Sequence, residues 1–227
     1  EREPFAFERA LKGGDISFIC EVKRASPSKG LIAADFPYLD IARDYQAAGA
    51  AAVSCLTEPY WFKGEDRYLS EIAAEISIPI LRKDFVVDEY MVCAARALGA
   101  SAVLLICALL DDAQLRSFAQ LAGELGLSAL VEAHDEAEVE RALRAGARVV
   151  GVNNRDLRSF QVDMEVSCRL RSLVPPEILF VSESGIESAG DIERLRRHGV
   201  DAVLIGEKLM RAADRRAMLA ELRGGGQ

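Results

Sequence analysis

No stretch of this sequence is apolar for long enough to cross a membrane. The longest apolar runs, around 103–110, fall far short of the ~18 residues that suggest a spanning helix. No terminal segment reads as a signal peptide, and a cytoplasmic protein is expected. Cysteine is scarce and scattered. Cys20, Cys55, Cys93, Cys107 and Cys168 form neither the close pairs of a zinc site nor a disulfide framework, so all five are read as small core residues. Positive charge is also in deficit: the net charge is -8, and the basic residues are dispersed, which argues against a nucleic acid partner. His134 and His198 have no second histidine at metal-ligand spacing, and neither is given a catalytic role. Neither G-x-x-x-x-G-K-[ST] nor G-x-G-x-x-G occurs, so nucleotide-binding loops are not supported.

What remains is a chain of 227 residues, 50% hydrophobic and 28% charged, the balance of a soluble globular protein. Short apolar segments at 18–23, 52–56, 78–82, 102–106, 129–131, 149–152, 178–181 and 202–205 read as strands. Between them lie helical patterns at 38–48, 67–75, 88–98, 111–125, 135–146, 164–173 and 188–198, with a last one at 214–223. One punctuation recurs: a helix, a glycine, a small apolar residue and a strand, as at Gly49-Ala50, Gly99-Ala100, Gly146-Ala147 and Gly199-Val200. Each glycine suits the left-handed residue that ends a helix. Eight such units require parallel strands and right-handed crossovers. The pattern predicts an α/β protein, a single (β/α)₈ TIM barrel spanning 1–227, with an open doubly wound sheet as the alternative. A covering segment at 1–14 and a frayed tail at 224–227 are expected.

The stretch Ile19-Cys20-Glu21-Val22-Lys23-Arg24-Ala25-Ser26-Pro27-Ser28-Lys29-Gly30 breaks the apolar habit of the strands. Glu21 and Lys23 are two positions apart and so share one face of a strand. Pro27 then stops the strand, and the Ser and Gly residues suit a loop that approaches an anion. Other polar residues also fall where strands finish: Lys83, Glu132, Asn153, Arg155, 182–185 and Gly206. In a barrel all of these lie at the C-terminal mouth. Taken singly each has an ordinary explanation: Lys83 an ion pair, Glu132 a carboxylate near a helix start, Asn153 and Arg155 a turn. Their joint placement favours a functional cluster in which lysines and glutamates shift one another's pKa. Ser184-Gly185 and Gly206-Glu207 follow the seventh and eighth strands, where barrels of this kind hold phosphate on backbone N–H groups. Phe62 and Phe85, together with Leu104 and Leu157, are expected to line an apolar half of the pocket, and Trp61 either joins them or anchors its loop.

Several of these segments, read whole, resemble the indole-3-glycerol phosphate synthase family: 21–28 (EVKRASPS), 79–85 (PILRKDF), 151–157 (GVNNRDL), 183–186 (ESGI) and 205–207 (IGE). The resemblance covers nearly the whole chain. It implies a (β/α)₈ barrel of tryptophan biosynthesis that closes the ring of 1-(2-carboxyphenylamino)-1-deoxyribulose 5-phosphate with loss of carbon dioxide and water. It further implies that Lys83 is the general acid on the substrate carbonyl and that Glu132 and Lys23 handle the dehydration, with Glu21 and Asn153 positioning them. Ser26, Ser184, Gly185 and Gly206, with the backbone at Glu207, would hold the phosphate. Arg155 falls near the substrate carboxylate and Glu183 at the pocket floor. No metal or cofactor is implied. The partner is a small phosphorylated substrate, with no nucleic acid and no membrane. The oligomeric state is open: a monomer, or an association with other tryptophan-pathway enzymes. The family usually carries a longer segment before the first strand, which caps the pocket. The alternatives are another phosphate-binding barrel, such as phosphoribosylanthranilate isomerase, which would need a catalytic cysteine after the first strand, and a noncatalytic barrel that binds a phosphorylated ligand.

Overall fold

The structure is a computed structural model describing residues 3–156 and 158–225. Leu157 and residues 226–227 of the expected tail lie outside the described residues. The strands are β1 Ser17–Val22, β2 Ala25–Ser26, β3 Gly30–Leu31, β4 Ala52–Leu56, β5 Ile80–Lys83, β6 Ala102–Ile106, β7 Ser128–Ala133, β8 Val149–Asn153, β9 Leu179–Glu183 and β10 Ala202–Ile205. All but β2 and β3 form a closed barrel in the order β1-β10-β9-β8-β7-β6-β5-β4. β1 pairs in parallel with both β4 and β10. That double pairing excludes an open sheet. The helices are α1 Ala6–Leu11, α2 Tyr38–Ala47, α3 Asp66–Glu75, α4 Glu89–Ala97, α5 Asp112–Glu124, α6 Glu136–Arg144, α7 Glu165–Leu170, α8 Ala189–Arg197, α9 Glu207–Arg211 and α10 Arg215–Leu222. None of the described helices is long and apolar enough to cross a membrane.

Side chains alternate across each strand. One set, including Cys20, Val22, Val53, Cys55, Val103 and Leu105, packs under the helices. The other, including Ile19, Ala52, Leu81, Ala102, Leu104, Leu130, Val149, Val181 and Leu204, fills the barrel interior. The glycines of the recurring helix-to-strand turn have φ of 78° at Gly49, 90° at Gly99, 84° at Gly146 and 73° at Gly199. The backbone there is left-handed, which a side chain would strain. Cys93 departs from the expectation that all five cysteines are core. It is exposed, because α4 turns Val92 and Ala95 inward and Cys93 falls on the outer face.

Helix α1 meets the opposite end of the barrel from the strand C-termini. Phe7 and Leu11 belong to the interior cluster, and Glu8 takes Arg148 in a forked ion pair, with Nε 3.1 Å and NH2 2.9 Å from its Oε1. Phe7 is fully buried. Truncating such a ring leaves a cavity that the surrounding strands close only in part, so Phe7→Ala should cost about 3–5 kcal/mol. Urea unfolding checks this, and a loss below about 1 kcal/mol would show that the helix contributes little to the core.

Candidate active site

The interior set of side chains changes character at one end of the barrel. Ile19 is followed two residues later by Glu21, Leu81 by Lys83, Leu130 by Glu132, and Val181 by Glu183; Val149 is followed by Gly151 and then Asn153. The same period of two that fills the barrel with aliphatics therefore delivers one polar group from each of these five strands to its mouth. These groups are the last or next-to-last residues of longer strands. Lys83, Glu132, Asn153 and Glu183 lie within β5, β7, β8 and β9, whereas the sequence pattern ended those strands one or two residues earlier. Ladder hydrogen bonds continue past the last aliphatic residue, and they fix these side chains more firmly than a loop would.

They line a cavity of 1210 Å³. Lys83 Nζ lies 3.4 Å from Glu132 Oε2 and 3.4 Å from Glu183 Oε2. Lys23 Nζ lies 2.6 Å from Glu21 Oε1. Asn153 Nδ2 donates to Glu132 Oε1 at 3.3 Å. His134, dismissed on sequence grounds, has Nε2 3.3 Å from the same Glu132 oxygen and Nδ1 3.0 Å from Glu138 Oε2. Its spacing gave no metal pattern, and only the turn after β7 reveals that it backs a carboxylate of the cluster.

Two carboxylates share one ammonium, and their surroundings separate them. Burial raises the pKa of both, but Glu132 also has Lys83, His134 and Asn153 beside it and ends up below the usual carboxylate range. Glu183 is raised, first by burial; the pull of Lys83 is offset by the charges of Glu132 and Glu21. Its Oε1 has no hydrogen-bond partner among the described residues, which suits a carboxyl that keeps its proton. Burial would depress the Lys83 ammonium, but Glu132, Glu183 and Glu21 outweigh it and hold its pKa above the ordinary value. Glu21 is raised by burial and lowered more by Lys23 and Lys83, for a net decrease. Burial lowers His134, and Glu132 and Glu138 lift it to about 10.

Two glycines make room for this cluster. A Cβ on Gly151 would overlap Glu183 Oε1, and a Cβ on Gly206 would overlap Glu21 Oε1 and stand 3.0 Å from Lys23 Nζ. Gly206 has a φ of -119°, so space is what requires glycine there. Gly206→Ala should push the Glu21–Lys23 pair out of place. An overpacking cost of about 1–3 kcal/mol and at least about a tenfold loss of kcat/KM are expected, measured by urea unfolding and steady-state kinetics. Unchanged kinetics would separate that pair from catalysis.

The rest of the cavity wall has two further sectors. Phe62 and Phe85 stand with ring centroids 6.0 Å apart at 59°, and they line it with Leu104 and the largely exposed Trp61. Glu58 organises this loop; its buried carboxylate accepts from the backbone N–H groups of Tyr60, Trp61 and Phe62 at 2.9, 2.7 and 2.9 Å. The other sector carries Ser26, Ser184, Gly185, Gly206 and Glu207. Ser26 sits in the β2–β3 hairpin, paired with Gly30, and Glu207 opens α9, a helix too short to show a periodicity in sequence. Glu207 Oε1 stands 3.6 Å from Lys29 Nζ and 3.0 Å from Arg211 Nε. Arg155 lies on the same wall; its backbone N–H donates to Asn153 Oδ1 at 3.1 Å and its NH1 to the Phe160 carbonyl at 3.2 Å. Every expected site residue that the structure describes therefore borders one cavity. Among the described residues no cluster of His, Cys, Asp and Glu is arranged to hold a metal ion.

A protein-family model described as indole-3-glycerol phosphate synthase matches residues 1–222. A protein of that name from Ruminiclostridium cellulolyticum is 60% identical over 223 residues, covering 98% of this chain and 86% of the relative. Another, from Lachnoclostridium phytofermentans, is 50% identical over 222 residues, covering 98% and 82%. Among solved structures, 3-hexulose-6-phosphate synthase from Salmonella typhimurium superposes with a TM-score of 0.76 over 92% of this chain and 98% of its own, at 14% identity. Thiamine phosphate pyrophosphorylase from Pyrococcus furiosus does so with 0.67 over 92% and 94%, at 18% identity. At such identities these two likenesses speak for the fold alone.

Proposed function

The chain belongs to the indole-3-glycerol phosphate synthase family, and from that membership we propose how its barrel mouth carries out the family's ring closure. The substrate joins an aromatic carboxylate to a dianionic phosphate through a ketose, so it needs an apolar slot, an anion site and a cation facing the carbonyl. The observation that carries the reading is that Lys83, Glu132 and Glu183, the Phe62 and Phe85 rings, and the Ser184–Gly185 and Gly206 turns all line one cavity.

Lys83 donates to the carbonyl oxygen while the anilino ring carbon bearing the carboxylate attacks the carbonyl carbon. A C–C bond forms and the oxygen becomes a hydroxyl. The C–C bond to the carboxylate then breaks, carbon dioxide leaves, and its electron pair restores part of the ring conjugation. Loss of the hydroxyl as water, with a proton removed from the new ring, completes the indole. Glu132, kept ionised, is the base for that proton. Lys23, braced by Glu21, assists departure of the hydroxyl, and Asn153 holds the Glu132 carboxylate. Glu183 keeps its proton to higher pH, so the pair separates into an acid and a base. Ser26, the backbone at Ser184, Gly185, Gly206 and Glu207, and the Arg155 guanidinium take the two anionic ends. Phe62, Phe85 and Leu104 flank the aromatic ring; Leu157 was expected beside them.

The test is to supply the carboxyphenylamino deoxyribulose phosphate and follow the rise of indole fluorescence. Absence of turnover would sink the reading.

A further inference from the structure

The network behind Ser184 joins residues that the reaction does not use. Asn154 follows the last residue of β8 and is 2% exposed. Its backbone is tied on both sides, the N–H donating to the Glu183 carbonyl at 2.9 Å and the carbonyl accepting from Asp163 N–H at 2.9 Å. Its Oδ1 accepts from Ser167 N–H at 3.0 Å. A backbone N–H can only donate, so that contact fixes the amide orientation and turns Nδ2 the other way. Nδ2 donates to Ser182 Oγ at 3.0 Å and to the Ser184 carbonyl at 3.1 Å, with Met164 Sδ at 3.3 Å. Ser182 Oγ in turn meets Ser167 Oγ at 2.8 Å.

Ser184 has a φ of 67°, a left-handed conformation that a residue with a side chain keeps only where its surroundings impose it. The Ser184–Gly185 peptide is trans, and in a planar trans peptide the C=O and N–H point in opposite directions. Holding the carbonyl on Asn154 therefore turns the Gly185 N–H away from Asn154, and Gly185 lines the cavity.

We propose that Asn154 is a positioning residue for anion binding: its buried side-chain amide pins the Ser184 carbonyl and thereby aims the Gly185 N–H at the phosphate. The proposal rests on the phosphate reading of Ser184, Gly185 and Gly206 given above. Asn154 reaches the substrate only through that peptide.

The probe is inorganic phosphate, titrated into the ¹⁵N-labelled protein. In the parent, the Gly185 amide and the Asn154 side-chain NH₂ resonances should shift with a common midpoint. Asn154→Asp keeps the size and the acceptor toward Ser167 but sets a carboxylate oxygen against the Ser184 carbonyl. Asn154→Ser removes the reach without adding charge. Both should weaken phosphate by at least about tenfold and raise the substrate KM by a similar factor, with kcat changed by less than about threefold. Ser167→Ala, which keeps the Ser167 N–H and so leaves the Asn154 side-chain bonds in place, should lower the Tm without moving the phosphate Kd. Phosphate that leaves both Gly185 and Gly206 unshifted would refute the anion site, and the proposal would fall with it. Phosphate that shifts Gly185 but not the Asn154 side chain, or binds the Asn154 variants as it binds the parent, overturns the positioning role alone.

Discussion

Lys83→Ala is expected to lower kcat by about 10³-fold with little change in KM. General acid assistance contributes about 10²–10⁴, and a donor aimed at a developing oxyanion about 10²–10³; in the proposed reaction one ammonium supplies both. Charge builds on the carbonyl oxygen only as the new C–C bond forms, so the loss falls on the transition state. Steady-state indole fluorescence measures it, and a decrease smaller than about tenfold would remove Lys83 from this role.

The same substitution makes a prediction about stability. Glu132 has a depressed folded pKa, for which Lys83 is the main opposing cause to burial. A depressed carboxylate contributes stability that is present above its unfolded pKa of about 4.3 and is lost as the pH falls through its folded value. Lys83, with a raised pKa, contributes below its unfolded value of about 10.4 as long as its carboxylate partners are ionised. Removing Lys83 should therefore cost most near neutrality, and the deficit should shrink as the pH falls below the ordinary carboxylate range. Urea unfolding at about pH 7 and about pH 3 compares the two. An undiminished deficit in acid would contradict the Lys83–Glu132 partnership.

Glu132→Gln is expected to lower kcat by about 10²–10³ while KM stays within about threefold. Glutamine keeps the shape and an oxygen for Asn153, 3.3 Å away, but it cannot take a proton, so a loss confined to kcat isolates the base function. The other carboxylate on the same ammonium responds as well. Glu132 is one cause of the raised pKa of Glu183, and neutralising it should move the Glu183 pKa down, visible by carboxyl ¹³C titration. Retention of parent kcat would falsify the assignment of Glu132 as the base.

The fold was largely legible because the barrel repeats one local rule. Every unit needs a buried strand, a helix with one apolar face and a turn into the next strand, and each leaves its mark within about twenty-five residues. The glycine turns at Gly49, Gly99, Gly146 and Gly199 marked the joints, since a left-handed residue is a local demand. Cys93 was misread because hydrophobic character alone does not say which side of α4 a small residue faces. The strand ends were set too early, at 131 and 181, because an aliphatic run stops where the ladder does not. Helix α9, Glu207–Arg211, escaped because five residues are too few to display a helical period.

The sequence by itself determined the barrel, the family and the roster of polar residues at its mouth, since alternation along a strand and motif spacing are properties of neighbours in the chain. Only the tertiary structure decided how those residues set one another's protonation. Lys83, Glu132 and Glu183 come from separate strands, and their protonation depends on distances of 3.4 Å that exist only once the barrel closes. His134 beside Glu132, Gly206 beneath Glu21 and Asn154 behind Ser184 are of the same kind. Each is a contact across strands or through a turn, where Coulomb attraction, excluded volume and hydrogen-bond geometry act over a few ångströms regardless of separation along the chain.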